Sequence, residues 1–211
     1  MQPTQPIPPA QAVSTKATRR EQILNEAARL FAERGFHGVG VDEIGAAVGI
    51  SGPGLYRHFP GKDAMLAELL VGISGRLFAE GKRRVADAPD SAAALSALVA
   101  GHAAFALHDR PLIILHDREL DRLRESDRKL VRQLQRQYVE LWVDVVSRQH
   151  PDAREQEVRV AVHAVFGLLN STPHLGLRPS SQGGSQGGLP DREATGALLR
   201  RLALAAFAAL G

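Results

Sequence analysis

The chain of 211 residues has no cysteine, which removes disulfides, zinc–thiolate sites and thiol nucleophiles together and suits a reducing cytoplasm. Continuous apolar runs are missing as well. No stretch approaches the roughly 18 to 20 apolar residues of a membrane span, and the N-terminus, with Pro3, Pro6, Pro8 and Pro9, lacks the apolar centre of a secretory signal. These absences lead to the expectation of a cytoplasmic protein without membrane contact. Aromatic residues are scarce and β-branched runs short, while alanine and leucine abound, a balance that favours helix over strand. The formal net charge is only +3. A pI near 9.7 reflects arginine outnumbering lysine and biases the chain mildly toward anionic partners.

Patterns for catalysis and metal binding are also lacking. His116, Asp117 and Glu119 are close in sequence, but adjacent helix positions diverge by about 100 degrees and no second histidine follows at i+4. The glycine-rich stretch Gly183 to Gly188 follows no strand and opens no phosphate-binding loop. No catalytic residue, metal ligand or cofactor is therefore expected.

What is present reads as an all-helical protein of about nine helices. Residues 1–17 are rich in Pro, Gln and Thr and are expected to form a disordered arm. Thr18 and Glu21 make a capping box ahead of the apolar stripe Ile23, Leu24, Ala27, Leu30 and Phe31, and Gly35 ends that helix. A second helix spans about Val41 to Val48, Gly49 supplies a turn, and Ser51 caps a very short third helix whose Leu55 and Phe59 pack inward. Gly61 caps a long fourth helix, with Gly72, Gly75 and Gly81 marking bends or close contacts. A fifth runs from about Ser91 to His108 and a sixth from about Pro111 to Leu123. Ser126 is placed to cap the seventh, Asp152 with Glu155 the eighth, and Asp191 the ninth. Residues 171–190, with Gly-Gly-Ser-Gln-Gly-Gly, are expected to be a mobile loop.

Helix, glycine turn and short helix make a candidate helix-turn-helix. Tyr56, Arg57, His58 and Lys62 cluster just after it, offering a hydroxyl, a guanidinium, an imidazole and an ammonium suited to phosphate oxygens. Residues 18–70 resemble the DNA-binding domain of TetR-family transcriptional regulators. The likeness runs through ILNEAARLFAERGF at 23–36, VDEIG at 41–45 and VGISGPGLYRHFPGK at 48–62. It implies a helical homodimer on a pseudo-palindromic DNA operator, usually a repressor, released by a small-molecule effector. It further implies phosphate contacts from Tyr56, His58 and Lys62, and a base-facing edge of Gly52, Pro53, Gly54 and Arg57, with Ser51 at its start. The sequence departs from the family where Val39 and Gly40 replace the usual threonine or serine, and where Gly52 and Gly54 replace polar side chains. Arg57 is then the main candidate for reading guanine, with Lys16, Arg19 and Arg20 as an arm reaching a minor groove.

Residues 18–62 are accordingly assigned to DNA binding and 63–211 to ligand binding and dimerisation. Apolar character around much of the eighth and ninth helices nominates Val162, Val165, Phe166, Leu199, Leu202 and Phe207 for a four-helix dimer interface, against the plainer reading of a monomer core. Polar or aromatic groups on otherwise apolar faces nominate His102, Phe105, His116, Tyr138, Trp142 and Asn170 for the effector pocket, against the plainer reading of hydrogen-bonded core residues. The charged run His116 to Arg128 reads as a solvated helix face or as an arginine-rich rim for an anionic ligand. Around LWVDVV at 141–146 the sequence resembles actinobacterial members tied to fatty acid or acyl-CoA breakdown. The alternative function is a DNA-binding regulator or architectural protein governed by a protein partner.

Overall fold

The computed structural model describes residues 18–175 and 191–210; Lys16, the arm 1–17 and most of the expected loop lie outside them. The described residues form nine α-helices and no strand: α1 Arg19–Arg34, α2 Val41–Ala47, α3 Gly52–Tyr56, α4 Lys62–Asp87, α5 Ser91–His108, α6 Arg110–Glu119, α7 Glu125–Gln149, α8 Glu155–Leu169 and α9 Arg192–Ala208. Single 3-10 turns follow α6 at Leu120–Arg122 and α8 at Thr172–His174.

Local chemistry sets the first boundaries. Thr18 and Glu21 close a reciprocal capping box, and Gly35 ends α1 at φ 77° with its N–H on the Phe31 carbonyl. Gly49, at φ 71°, ends α2 in a Schellman turn: Ile50 N–H donates to the Gly45 carbonyl at 2.9 Å and Gly49 N–H to Ala46 at 3.1 Å. The next helix starts at once, because Ser51 Oγ accepts from Gly54 N–H.

Later caps differ from expectation. The helix α7 begins at Glu125 after Arg124, without a side-chain cap, so Ser126 lies inside it. For α8 the N-cap is Arg154, which offers no side-chain cap; its backbone N–H donates to the Glu157 carboxylate at 3.2 Å, two positions beyond the Asp152–Glu155 pair. Asp191 caps α9 as expected, accepting from Ala194 N–H. Of the three glycines in α4, Gly81 alone marks a close contact, since a Cβ there would lie 2.7 Å from the Tyr138 ring; Gly72 and Gly75 face open space. At the start of the expected loop Thr172 is fully buried and its hydroxyl donates to the Ala106 carbonyl.

Two cores organise the chain. The first joins Ile23, Phe31, Phe36, Ile44, Leu55 and Phe59 to the first half of α4 and to Leu112, Leu115, Leu123 and Val131. The second collects α5, α7, α8 and α9 around Trp142, Val162, Leu199 and Phe207. Because α4 runs through both, the boundary expected at residue 62 is the start of a shared helix. By length and composition α5 could cross a membrane, with mean hydropathy 1.4, which the sequence alone did not reveal. Its Leu95, Leu98, Val99, Ala103 and Ala106 are instead buried within the bundle.

Candidate functional site

The tip of the helix-turn-helix is nearly bare of side chains. Pro53 and Arg57 are exposed, Tyr56 is 56% exposed, and Gly52 and Gly54 are half-buried. Below them Leu55 and Phe59 are buried against α1 and α4. Close approach of α2 to the turn needs Gly45, where a Cβ would lie 2.8 Å from the Ile50 carbonyl oxygen.

The basic residues divide into engaged and free. Arg57 has no hydrogen-bond or ion-pair partner among the described residues, and Gly40 is exposed at the N-cap of α2. Arg19 and Arg20 belong to the first turn of α1, not to an arm. Arg19 donates to the Val48 carbonyl at 2.8 Å. Arg20 pairs with Glu68, donates to the His58 carbonyl at 2.6 Å and lies 4.0 Å over the Phe59 ring. Lys62 donates to the carbonyls of Phe36 and Val39 at 2.9 and 3.1 Å and sits 4.6 Å over the Phe36 ring. Two of its three N–H donors are therefore spent on the link between α1 and α2, which makes it a structural tie there. The capping box at Thr18 is the reason: it starts α1 at Arg19, so both arginines turn with the helix.

In the bundle a cavity of about 530 Å³ opens among α4 to α8. His102, Phe105, His116, Tyr138 and Asn170 all line it, whereas Trp142 does not. Trp142 is completely buried behind the wall, edge-on to Tyr138 and Phe166, and its indole N–H makes no hydrogen bond of normal geometry among the described residues. The polar centre of the wall is His102. Its Nε2 is 3.0 Å from Asn170 Oδ1 and its Nδ1 3.4 Å from the Tyr138 hydroxyl. Burial lowers its pKa to about 4 and raises that of Tyr138 to about 12, so both are neutral. The neutral histidine donates from Nε2 to Asn170 and accepts the Tyr138 proton at Nδ1, leaving the Asn170 amide N–H groups for a guest.

Apolar walls come from Ile73, Leu77, Leu112, Ile113, Val139 and Phe166, the charged lining from Asp117, Arg132, Arg136, Glu140 and Arg159, and a further polar group from His163. Arg132 is held by Asp121 at 3.3 Å, and Arg159 by Glu140 and Glu155. Arg136 is exposed and unpaired among the described residues. Most of the charged run after His116 is exposed, as the plainer reading expects, with Glu119 paired to Arg122 at i, i+3 and Glu125 to Lys129 at i, i+4. His116 and Asp117 line the cavity, but the cavity's arginines come from α7 and α8, and Arg128 turns to the Asp121 carbonyl. Sequence reasoning missed Ser74, Gln135, Arg136 and Arg159. The signal available was the stripe Arg132, Gln135 or Arg136, and Val139 at helical spacing on α7.

One wall of the cavity touches the helix-turn-helix unit. Through Leu112, Ile113, His116 and Asp117, α6 lines the cavity; just beyond, Glu119 is buried and paired with Arg122. Arg122 donates to His37 and lies 5.9 Å from the Phe36 ring centre, the ring that Lys62 also overlies. Phe36 thus holds two cations, one from the start of α4 and one from the 3-10 turn that follows α6.

Five of the six residues nominated for dimerisation are used inside the protomer. Val162, Val165, Leu199 and Phe207 are core, and Phe166 lines the cavity. Leu202 is 45% exposed. The outward apolar face is a neighbouring one, made of Val160, Ala164 and Gly167 on α8 and Leu198, Leu202 and Ala205 on α9, with Ala209 at its C-cap.

Comparison with known proteins follows this division. The family model for bacterial regulatory proteins of the tetR family matches residues 23–69, and that for a tetracyclin repressor-like C-terminal domain matches 88–174. The transcriptional repressor KstR2 of Rhodococcus jostii is 32% identical over 179 residues, covering 84% of this chain and 87% of the relative. The solved ketosteroid transcriptional regulator KstR2 of Mycobacterium tuberculosis superposes with a TM-score of 0.74 at 23% identity, over 92% of this chain and 96% of that one. AibR, solved in complex with isovaleryl coenzyme A and operator DNA, superposes with a TM-score of 0.68 at 22% identity, over 88% and 97%.

Proposed function

The chain belongs to the TetR family of bacterial transcriptional regulators, and from that membership we propose that it is an effector-responsive repressor. In this reading residues 18–62 hold a pseudo-palindromic operator, residues 63–211 sense and dimerise, and a small molecule in the cavity ends DNA binding. The family is one of regulators rather than enzymes.

The observation that carries the reading is α6, which lines the cavity on one side and leads directly into the Arg122 contact with Phe36 and His37. A guest that displaces α6 must disturb that contact, and Phe36 anchors the loop from which α2 starts. Differential fit of the guest to the two positions of α6 would supply the coupling.

The guest we propose is an acyl-CoA or fatty acid. Its size class fits, since a cavity of about 530 Å³ lies in the range of small-molecule sites. Apolar walls suit an acyl chain, the Asn170 amide suits a carbonyl, and unpaired Arg136 at the charged lining suits a phosphate or carboxylate. The AibR complex with isovaleryl coenzyme A adds an example within the fold. For DNA, Tyr56, His58 and the backbone near Ser51 and Gly40 are the proposed phosphate-facing groups, and Arg57 the proposed guanine reader. Dimerisation is proposed on the outward face of α8 and α9, where Val160 is 68%, Leu198 46% and Leu202 45% exposed. An apolar face shared by two helices can self-pair about a two-fold axis.

The test is a fluorescence anisotropy titration. A duplex enriched from random sequence by the chain is bound first, and then acyl-CoAs of increasing length are added beside their free acids and coenzyme A alone. Release by an acyl-CoA or acid, but not by coenzyme A, supports the reading. Indifference to all of them, with DNA still bound, would point instead to control by a protein partner.

A further inference from the structure

The bare tip of α3 is not empty in space. A Cβ placed on Gly52 would lie 2.0 Å from Asp42 Oδ1, so the carboxylate of α2 stands where a side chain of α3 would begin. In helix-turn-helix docking the first residues of the second helix lie at the base edges. Asp42 therefore reaches the surface that Gly52, Pro53 and Gly54 leave without side chains of their own.

Its electrostatic state is unusual for this unit. Glu21 is spent in the capping box, Glu26 and Glu33 on Arg29, Glu43 on Arg34 and Glu68 on Arg20. Asp42 is exposed and has no hydrogen bond or ion pair among the described residues. An unpaired carboxylate next to a polyanion weakens binding to every sequence alike unless it accepts a hydrogen bond there. On the major-groove edge the donors are the exocyclic amino groups of cytosine and adenine, and aspartate is a suitable acceptor for the cytosine N4 group.

We propose, building on the regulator reading above, that Asp42 is a specificity-determining residue that selects an exocyclic amino group, cytosine N4 first, in each half-site. Arg57 then donates to a guanine while Asp42 accepts from an amino group, so an acceptor from α2 and a donor from the end of α3 share the reading. Gly52 is required by this arrangement because any larger residue would evict the carboxylate.

Selection from random duplexes with the full chain tests this, comparing the native protein, Asp42→Ala and Asp42→Asn, with melting temperature measured in parallel. The native protein should enrich half-sites with one position fixed as cytosine, or as adenine if that is the amino group read, at about a ten-fold preference. Asp42→Ala should lose the preference at that position alone and bind unrelated duplexes more tightly. Asp42→Asn, which keeps the size of the side chain, should move the preference toward adenine. If both variants keep every positional preference of the native protein, Asp42 reads nothing and the proposal is overturned while the regulator reading stands. A uniform loss at all positions with a lower melting temperature would assign Asp42 to helix stability and also overturn it. Should the native protein enrich no sequence, the regulator reading itself falls.

Discussion

Between Thr18 and Lys62 the helix ends are set by bonds to near neighbours in sequence, whereas the cavity is assembled by contacts across the chain. In the first region Glu21 reaches Thr18, Ile50 reaches Gly45 and Ser51 reaches Gly54. In the second, His102 meets Tyr138 36 residues away and Asn170 68 residues away. The contrast teaches where each kind of damage should appear. A unit held by short turns fails at single glycines, while a cavity held by packing fails when volume or charge is put into its wall.

Trp142→Ala should therefore have the largest effect. It deletes a fully buried indole shared by the rings of His102, Tyr138, Phe166 and Phe207, and large-to-small changes of this kind cost about 3–5 kcal/mol. Urea unfolding should report the loss, with Arg57 and its surroundings unaltered. An equal loss from a change at exposed Pro53 would erase the distinction between the regions.

Acid comes next, and it acts through the wall of the cavity. His102 has its pKa lowered from 6.5 to about 4, so between those values the unfolded chain takes up a proton that the folded chain refuses. Stability contributed by this residue is complete above about pH 6.5 and falls as pH drops toward 4, by about 2 kcal/mol at pH 5. Denaturant midpoints at pH 7 and pH 5 check this, and His102→Gln should flatten the difference.

In the DNA-facing unit Gly49→Val should cost about 1–2 kcal/mol, the strain of φ near +71° on a residue with a Cβ, and should reduce DNA binding more than effector binding. Arg57→Ala should leave stability within about 0.5 kcal/mol, as expected of an exposed residue without partners, yet relax base preference in a selection experiment. Lys62→Ala sharpens the comparison further. Since Lys62 ties the carbonyls of Phe36 and Val39, it should lower the melting temperature as well as DNA affinity, unlike a residue that only touches phosphate.

Legibility in the sequence follows the same division. Thr18, Gly35, Gly49, Ser51 and Asp191 each signal a helix end through chemistry confined to a few residues, and the family likeness rests on such motifs. Periodicity also showed that α8 and α9 are apolar on several sides. It did not show which side the protomer uses, so Val162 and Phe207 were nominated for a partner although Trp142 and its neighbours bury them. The cavity's polar groups were visible as odd residues on apolar faces, and five of the six line it. Trp142 was indistinguishable from them because its depth depends on α9, far along the chain. For Lys62, Arg19 and Arg20, sequence shows the charge but not the carbonyl or carboxylate that already holds it.

The claim that joins the two regions is that filling the cavity acts through Arg122. Operator affinity of the native chain and of Arg122→Ala, each measured with and without the acyl-CoA that most weakens native binding, tests it most directly. The account expects both proteins to bind that acyl-CoA, and the native protein to lose operator affinity on binding it. Arg122→Ala should lose several-fold less, because its contact with His37 and Phe36 is already gone. An unchanged loss in the variant would contradict the account.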